Sequence, residues 1–213
     1  MSLPAGFQIA IEGVIGVGKS SLARILAEDL GASLVLEEAE ENPFLPDFYR
    51  DQKHYALQTQ LCFLLSRHRQ QSQLKQLNLF NKSIVSDYLF DKDRIFAHVT
   101  LQDRELELYN RIADFLSQDI PVPDLVIYLQ SNPQRLLTNI RVRDIDYERM
   151  ISLEYLEALS EAYKKFFFQW DKSSLLIINS VKLDFVNNPV HRELLVRKVS
   201  DKPAGTTYFN PES

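Results

Sequence analysis

Gly13-Val14-Ile15-Gly16-Val17-Gly18-Lys19-Ser20 decides the reading of this chain. The octet fits G-x-x-x-x-G-K-[ST], the P-loop, whose glycines let backbone N–H groups turn inward around a phosphate. The apolar run Phe7-Gln8-Ile9-Ala10-Ile11 leads into it, and a helical pattern from Ser21 to Leu30 leads out. A helix that starts there points its positive end at the same spot. The expected phosphate cradle is therefore Gly13, Val14, Ile15, Gly16, Val17, Gly18, Lys19, Ser20 and Ser21. Lys19 is placed to bridge the outer phosphates, and the Ser20 hydroxyl to ligate Mg²⁺.

Working outward, strand-like runs at residues 8–12, 33–36, 83–87, 124–129 and 175–179 alternate with helical stretches. The helical stretches span 19–30, 54–78, 104–117 and 151–170. Such alternation predicts an α/β fold with a parallel sheet covered on both faces. Ligands in these sheets gather at the carboxyl ends of the strands. The P-loop lies at one such end, Glu37 at the second and Asp87 at the third. Two prolines in Ile120-Pro121-Val122-Pro123-Asp124 make that stretch a connector. The apolar pattern weakens after Asn179, although Leu183-Asp184-Phe185-Val186 still has the composition to pack. Residues 1–200 are expected to form one domain, and 201–213, without periodicity, a flexible tail.

With 213 residues, 45% of them hydrophobic, the chain suits one sizeable core. A net charge of −5 and a pI near 5.4 argue against a surface that coats nucleic acid. No apolar run approaches ~18 residues, and the first residues lack the makings of a leader. The expectation is a soluble cytoplasmic protein with neither membrane nor nucleic acid as partner. The single Cys62 has no internal disulfide partner and reads as a buried structural thiol.

Four further stretches carry chemistry. In Glu37-Glu38-Ala39-Glu40-Glu41-Asn42-Pro43-Phe44, the first carboxylate would face the phosphates. There it can accept a proton from a substrate hydroxyl or hold Mg²⁺ through water. Glu38, Glu40 and Glu41 read as a solvated acidic loop. In the helix 54–78, Leu57, Leu61, Leu64 and Leu65 follow helical spacing, and Gln60 and Arg67 are two turns apart on one face. A Gln amide that donates and accepts, beside an Arg that only donates, can read the polar edge of a flat ring. Charged residues crowd Ser86-Asp87-Tyr88-Leu89-Phe90-Asp91-Lys92-Asp93-Arg94, directly after a strand. Arg141 and Arg143 sit in Asn139–Glu148, expected as a loop able to close over ATP and stabilise a moving phosphoryl group.

Together these segments resemble the deoxyribonucleoside kinase family, and within it the bacterial deoxyadenosine/deoxyguanosine kinase branch. The stretch Glu37 to Tyr49 is similar to the family's Glu-Pro-Val-Glu-Glu-Asn-Pro segment with its following aromatic pair, here Phe48-Tyr49. The Gln60–Arg67 helix and Ile151-Ser152-Leu153-Glu154-Tyr155-Leu156 extend the likeness. The resemblance implies a P-loop kinase fold with a five-stranded parallel sheet and a helical lid, ATP and Mg²⁺ as cofactors, and a homodimer through a helical face. It implies that Glu37 is the general base for the 5′-hydroxyl and that Gln60 reads the base. Arg67 and Asp93 match the polar pair at the base edge, Tyr49 and Glu148 the groups on the sugar 3′-hydroxyl. Phe63 lines the base pocket, Asp87 joins the substrate site, and Arg143 is the first arginine of the lid.

Two departures stand out. The family usually carries an acidic residue followed by Arg after strand three, whereas this chain has Asp87-Tyr88. Its lid usually reads Arg-Gly-Arg-x-x-Glu, whereas this chain has Arg143-Asp144-Ile145-Asp146-Tyr147-Glu148. Lys92 or Arg94 is available near the first gap and Arg141, on the cofactor side, near the second. The implied reaction is transfer of the ATP γ-phosphoryl group to a deoxyribonucleoside, deoxyadenosine or deoxyguanosine, in nucleotide salvage. Two alternatives stay open. Arg67, His68, Arg69 and Lys75 are cations enough for a thymidylate-like monophosphate kinase, and Tyr88 and Ile145 would suit a nucleotide-binding regulator without catalysis.

Overall fold

Ile9, Ala10 and Ile11 have no solvent-facing side, so the run that holds them must lie inside a sheet covered on both faces. It does: in the computed structural model, which describes residues 3–77 and 82–211, β1 (Gln8–Gly13) is an interior strand. The chain continues through α1 (Lys19–Leu30), β2 (Ser33–Val35), α2 (Leu45–Arg50), α3 (Gln52–Leu77) and β3 (Ile84–Ser86). Then follow α4 (Lys92–Thr100), α5 (Asp103–Ser117), β4 (Leu125–Gln130), α6 (Pro133–Arg143) and α7 (Leu153–Phe168). β5 (Ser174–Asn179), α8 (Pro189–Ser200) and β6 (Thr206–Phe209) complete the order.

The sheet order is β2-β3-β1-β4-β5-β6, with every pairing parallel. The expected five strands become six. Thr206-Thr207-Tyr208-Phe209, inside the segment expected to be a loose tail, pairs with Leu175–Ile178 of β5. Its residues are β-branched and aromatic, the types that fit a pleated edge. Four helices also go beyond the sequence pattern. α2 follows the acidic run, α4 rises from the charged cluster, α6 takes in the first half of the expected lid loop, and α8 rises from the stretch where periodicity fades. Caps start two of them: Asn132 accepts from the Arg135 N–H, and Asn188 from Val190 and His191, each followed by a proline at the first helical turn. The expected helix end at Asn78 and the Lys75 side chain lie outside the described residues.

The main core lies on both sides of β1, β4 and β5, where Leu22, Leu26, Ile127, Leu156, Leu159 and Leu176 are buried. A second cluster, Leu64, Phe90, Ala97, Tyr109 and Ala113, joins α3, α4 and α5. Cys62 is half-buried rather than buried, because it sits away from Leu64 on the side of α3 that faces Glu38, Glu41 and Arg69. Thus the carboxyl ends of β1, β2 and β3 open toward one rim, and that rim carries the charges described next.

Candidate active site

The P-loop is shaped by a close approach. Gly16 has φ +84, and a Cβ there would lie 2.7 Å from the Leu136 carbonyl oxygen and 2.8 Å from Ile140 Cγ1. Only glycine lets α6 pack this tightly on the loop. Asn139 Nδ2 donates to the Gly16 carbonyl at 2.8 Å and fixes that contact. Lys19 Nζ turns back to the Gly13 carbonyl at 2.8 Å, and the protein around it, with the Lys92 charge, pushes the amine down to about 8. The Ser20 hydroxyl donates to Asp87 Oδ2 at 2.5 Å.

Asp87 then ties the end of β3 to the end of β2, since its Oδ1 accepts from the Glu37 N–H at 2.7 Å. This orients Glu37 beside the P-loop. One Glu37 oxygen accepts from Lys92 Nζ at 2.6 Å, and the other pairs with Arg67 Nη2. Burial by itself would raise the Glu37 carboxyl, but Arg67 and Lys92 outweigh it and hold the group well below the usual carboxylate range. Arg67 is buried and reaches Asp93 with its other nitrogen, so it spans two carboxylates. Its guanidinium also stacks over the Phe63 ring at 4.9 Å.

Two cavities meet on this row. One, about 430 Å³, is lined by Tyr49, Gln60, Phe63, Arg67, Asp93 and Glu148 among others, and by Glu37. The second, about 520 Å³, runs along the P-loop under Arg135, Asn139 and Val142 of α6 and against Asp184, Phe185 and Val186. Gly16, Lys19, Ser20 and Arg143 line both. A group held in one cavity therefore faces a group held in the other across the P-loop lysine.

In the first cavity Gln60 Oε1, Asp93 Oδ2 and Tyr155 Oη are buried without a hydrogen-bond partner among the described residues. Buried polar atoms of this kind are satisfied by water or by a ligand. Tyr49 stacks on Tyr147, with ring centroids 6.0 Å apart and planes 6° off parallel. Arg143 grips Glu148 with two nitrogens, Nε at 3.1 Å and Nη2 at 2.7 Å.

Nearly all the residues expected from the sequence converge here. Arg141 does not: it is exposed and lines neither cavity. Asn139 and Arg143 are one turn apart on the face toward the P-loop, and Arg141 lies midway between them, on the opposite face. Of the acidic run, Glu38 and Glu41 pair with Arg69 at 3.4 and 3.1 Å, and Glu40 is exposed. Both Glu37 oxygens face cations, and the Asp87 carboxylate is the one bonded to Ser20.

Sequence reasoning missed Glu12. It is fully buried and accepts from the Gly13 and Leu89 N–H groups at 3.0 and 2.9 Å and from the Tyr163 hydroxyl at 2.9 Å. It pins the start of the P-loop to the β3–α4 connection and to α7. A carboxylate ending an otherwise apolar strand was the available signal. Arg135, Asn139 and Asp184 were also missed, because nothing local marks a wall made by two helices and a distant loop.

Comparison with known proteins agrees with this geometry. The family profile described as deoxynucleoside kinase matches residues 9–202. The chain is 32% identical over 198 residues to the deoxyguanosine kinase of Bacillus subtilis, covering 91% of this chain and 96% of that one. It is 30% identical to the deoxyadenosine kinase of Lactobacillus acidophilus, covering 91% and 95%. A solved deoxyadenosine kinase from M. mycoides, with products dCMP and a flexible dCDP bound, superposes with a TM-score of 0.78 at 28% identity, over 92% of this chain and all of the other.

Proposed function

This chain belongs to the deoxynucleoside kinase family of ATP-dependent phosphotransferases, and from that premise we propose that it phosphorylates the 5′-hydroxyl of a purine deoxyribonucleoside. The observation that carries the proposal is the pair of cavities joined at Gly16, Lys19, Ser20 and Arg143, with Glu37 on the acceptor side. ATP occupies the P-loop cavity, its phosphates on the loop amides and Lys19. The nucleoside occupies the other, its base at Gln60, Arg67 and Asp93, its 3′-hydroxyl at Tyr49 and Glu148. Nucleotide salvage in the cytoplasm is the setting this proposal assigns.

Glu37 orients the 5′-hydroxyl and takes its proton. Because Arg67 and Lys92 hold its carboxyl so low, Glu37 is a weak base. That suits a loose phosphoryl-transfer transition state, in which the acceptor oxygen needs little activation before the phosphoryl group arrives. The buried acceptors Gln60 Oε1 and Asp93 Oδ2 favour a base that offers an exocyclic amine, which adenine does and thymine does not. The Ser20 hydroxyl and the Asp87 carboxylate are hard oxygen donors that fit Mg²⁺, which would neutralise phosphate charge when bound.

A monophosphate acceptor fits less well. It needs free cations for its own phosphate, yet in this cavity Arg67, Lys92 and Arg143 each already face a carboxylate. The same family membership leads us to propose a homodimer through α3 and α5, where Leu65, Leu108 and Phe115 are exposed.

The test is phosphoryl transfer from ATP and Mg²⁺ to the four deoxyribonucleosides and their monophosphates, with Glu37→Ala beside the wild type. Transfer to deoxyadenosine or deoxyguanosine, lowered ~10²–10⁴-fold in the variant, is the expected result. Transfer to monophosphates alone would reassign the acceptor, and no transfer with ATP still bound would leave a nucleotide-binding protein without catalysis.

A further inference from the structure

Lysine is out of place at the start of a helix, where the positive end of the macrodipole repels it. Lys92 is nonetheless the first residue of α4, and it is only 5% exposed. A buried cation in the wrong electrostatic position persists only where something holds it. Here that is Glu37, at 2.6 Å. Lys92 also lies close enough to the P-loop for its charge to lower the Lys19 amine. It also lines the first cavity together with Glu37 and Lys19, where that cavity joins the second.

The other cations near the β3–α4 connection are turned elsewhere. Arg94 pairs with Asp114 at 2.6 Å on the outside of α5, and Lys172 with Asp91 at 2.8 Å. Tyr88 is buried and its hydroxyl accepts from Gln71 Nε2 at 3.3 Å, away from the cavity at Glu37. Within the cavity, Arg67 is divided between Glu37 and Asp93, and Arg143 is gripped by Glu148. An ammonium has three donors. The contact with Glu37 uses one of those on Lys92.

We infer that Lys92 is a catalytic residue of this chain, whose ammonium pairs with Glu37 and donates to the phosphoryl oxygens as the group crosses between the two cavities. The inference rests on the phosphoryl transfer proposed above. In that step the 5′ oxygen bonds to the γ phosphorus, the bond from that phosphorus to the β,γ-bridging oxygen breaks, and ADP leaves. The hydroxyl proton passes to Glu37, and Lys92 keeps all its protons throughout. Its charge takes the place that the Tyr88 side chain does not fill.

The experiment is steady-state kinetics on Lys92→Ala, Lys92→Gln, Lys92→Arg and Arg94→Ala, with thermal melts to confirm that each folds. Lys92→Ala and Lys92→Gln should lose ~10²–10³-fold in kcat, with KM for nucleoside and ATP changed by no more than about threefold. Lys92→Arg should recover part of the loss. Propylamine, which replaces the deleted atoms and their charge, should restore Lys92→Ala in a saturable way. Arg94→Ala should match the wild type. The inference is overturned if Lys92→Gln folds and turns over like the wild type, or if the loss lies in KM and neither Arg nor propylamine recovers it. A wild type that phosphorylates no deoxyribonucleoside would instead overturn the proposed reaction, a failure visible before any variant is made.

Discussion

Arg67 joins two carboxylates of the first cavity. Its guanidinium is 3% exposed and lies between Glu37 and Asp93, which are 15% and 2% exposed at the side chain. A buried pair of this kind gives little net stability by itself, but removing one partner strands the others without water. Arg67→Met keeps the bulk and deletes the charge. It should lower the unfolding free energy by about 3–5 kcal/mol in urea titrations and abolish nucleoside binding in calorimetry. Loss of binding with unchanged stability would mean that Glu37 and Asp93 are better hydrated than their burial indicates. The pairing also explains why Glu37 cannot be judged from its spacing alone. Its position beside the P-loop follows from the sequence, whereas its acidity follows from Arg67, thirty residues on, and Lys92, fifty-five on.

At the scale of elements, α6 does more than bridge β4 to the lid. It presses on Gly16, presents Arg135, Asn139 and Val142 to the P-loop cavity, and ends at Asp144, whose φ of +55 turns the chain between Arg143 and its partner Glu148. The family that this chain resembles has glycine at that point, and an Asp is among the few other residues that tolerate the left-handed conformation. On the far side, α8 is tied to α1 by Arg192, which bonds Asp29 at 2.9 and 2.5 Å and Glu28 at 3.0 Å. The hydrogen bond to Arg192 lowers the Asp29 carboxyl. A lowered carboxylate contributes stability above its unfolded pKa, near 3.8, and loses it as the pH falls through the lower folded value. Both groups are partly exposed, so Arg192→Gln should lower stability only slightly near neutral pH. Denaturant melts should show that gap at pH 6 and its loss as the pH falls through the lowered Asp29 value. A gap that survives in strong acid would assign the tether to packing.

At the scale of the whole molecule, the sheet sets two cavities on either side of one lysine, and α3 and α5 leave Leu65, Leu108 and Phe115 exposed. Sedimentation of the wild type should give a dimer, and Phe115→Asp, which charges a residue 72% exposed in one copy, a monomer with an intact fold. A monomeric wild type at micromolar concentration would refute the dimer. The sequence by itself determined the P-loop, the α/β class and the positions of Glu37, Gln60, Arg67 and Asp87, because each is a matter of local spacing: a glycine pattern, a period of two or 3.6, a residue just past a strand. Only the tertiary structure decided that β6 joins the sheet, that Glu12 pins the loop, that Arg141 faces out, and that Lys92 rather than Arg94 meets Glu37. The physical reason is range. Lys92 and Arg94 sit two residues apart in one helical turn and point about 200° from each other, so which one enters the cavity depends on how α4 packs against α3 and α7, a fact that no short stretch of sequence contains.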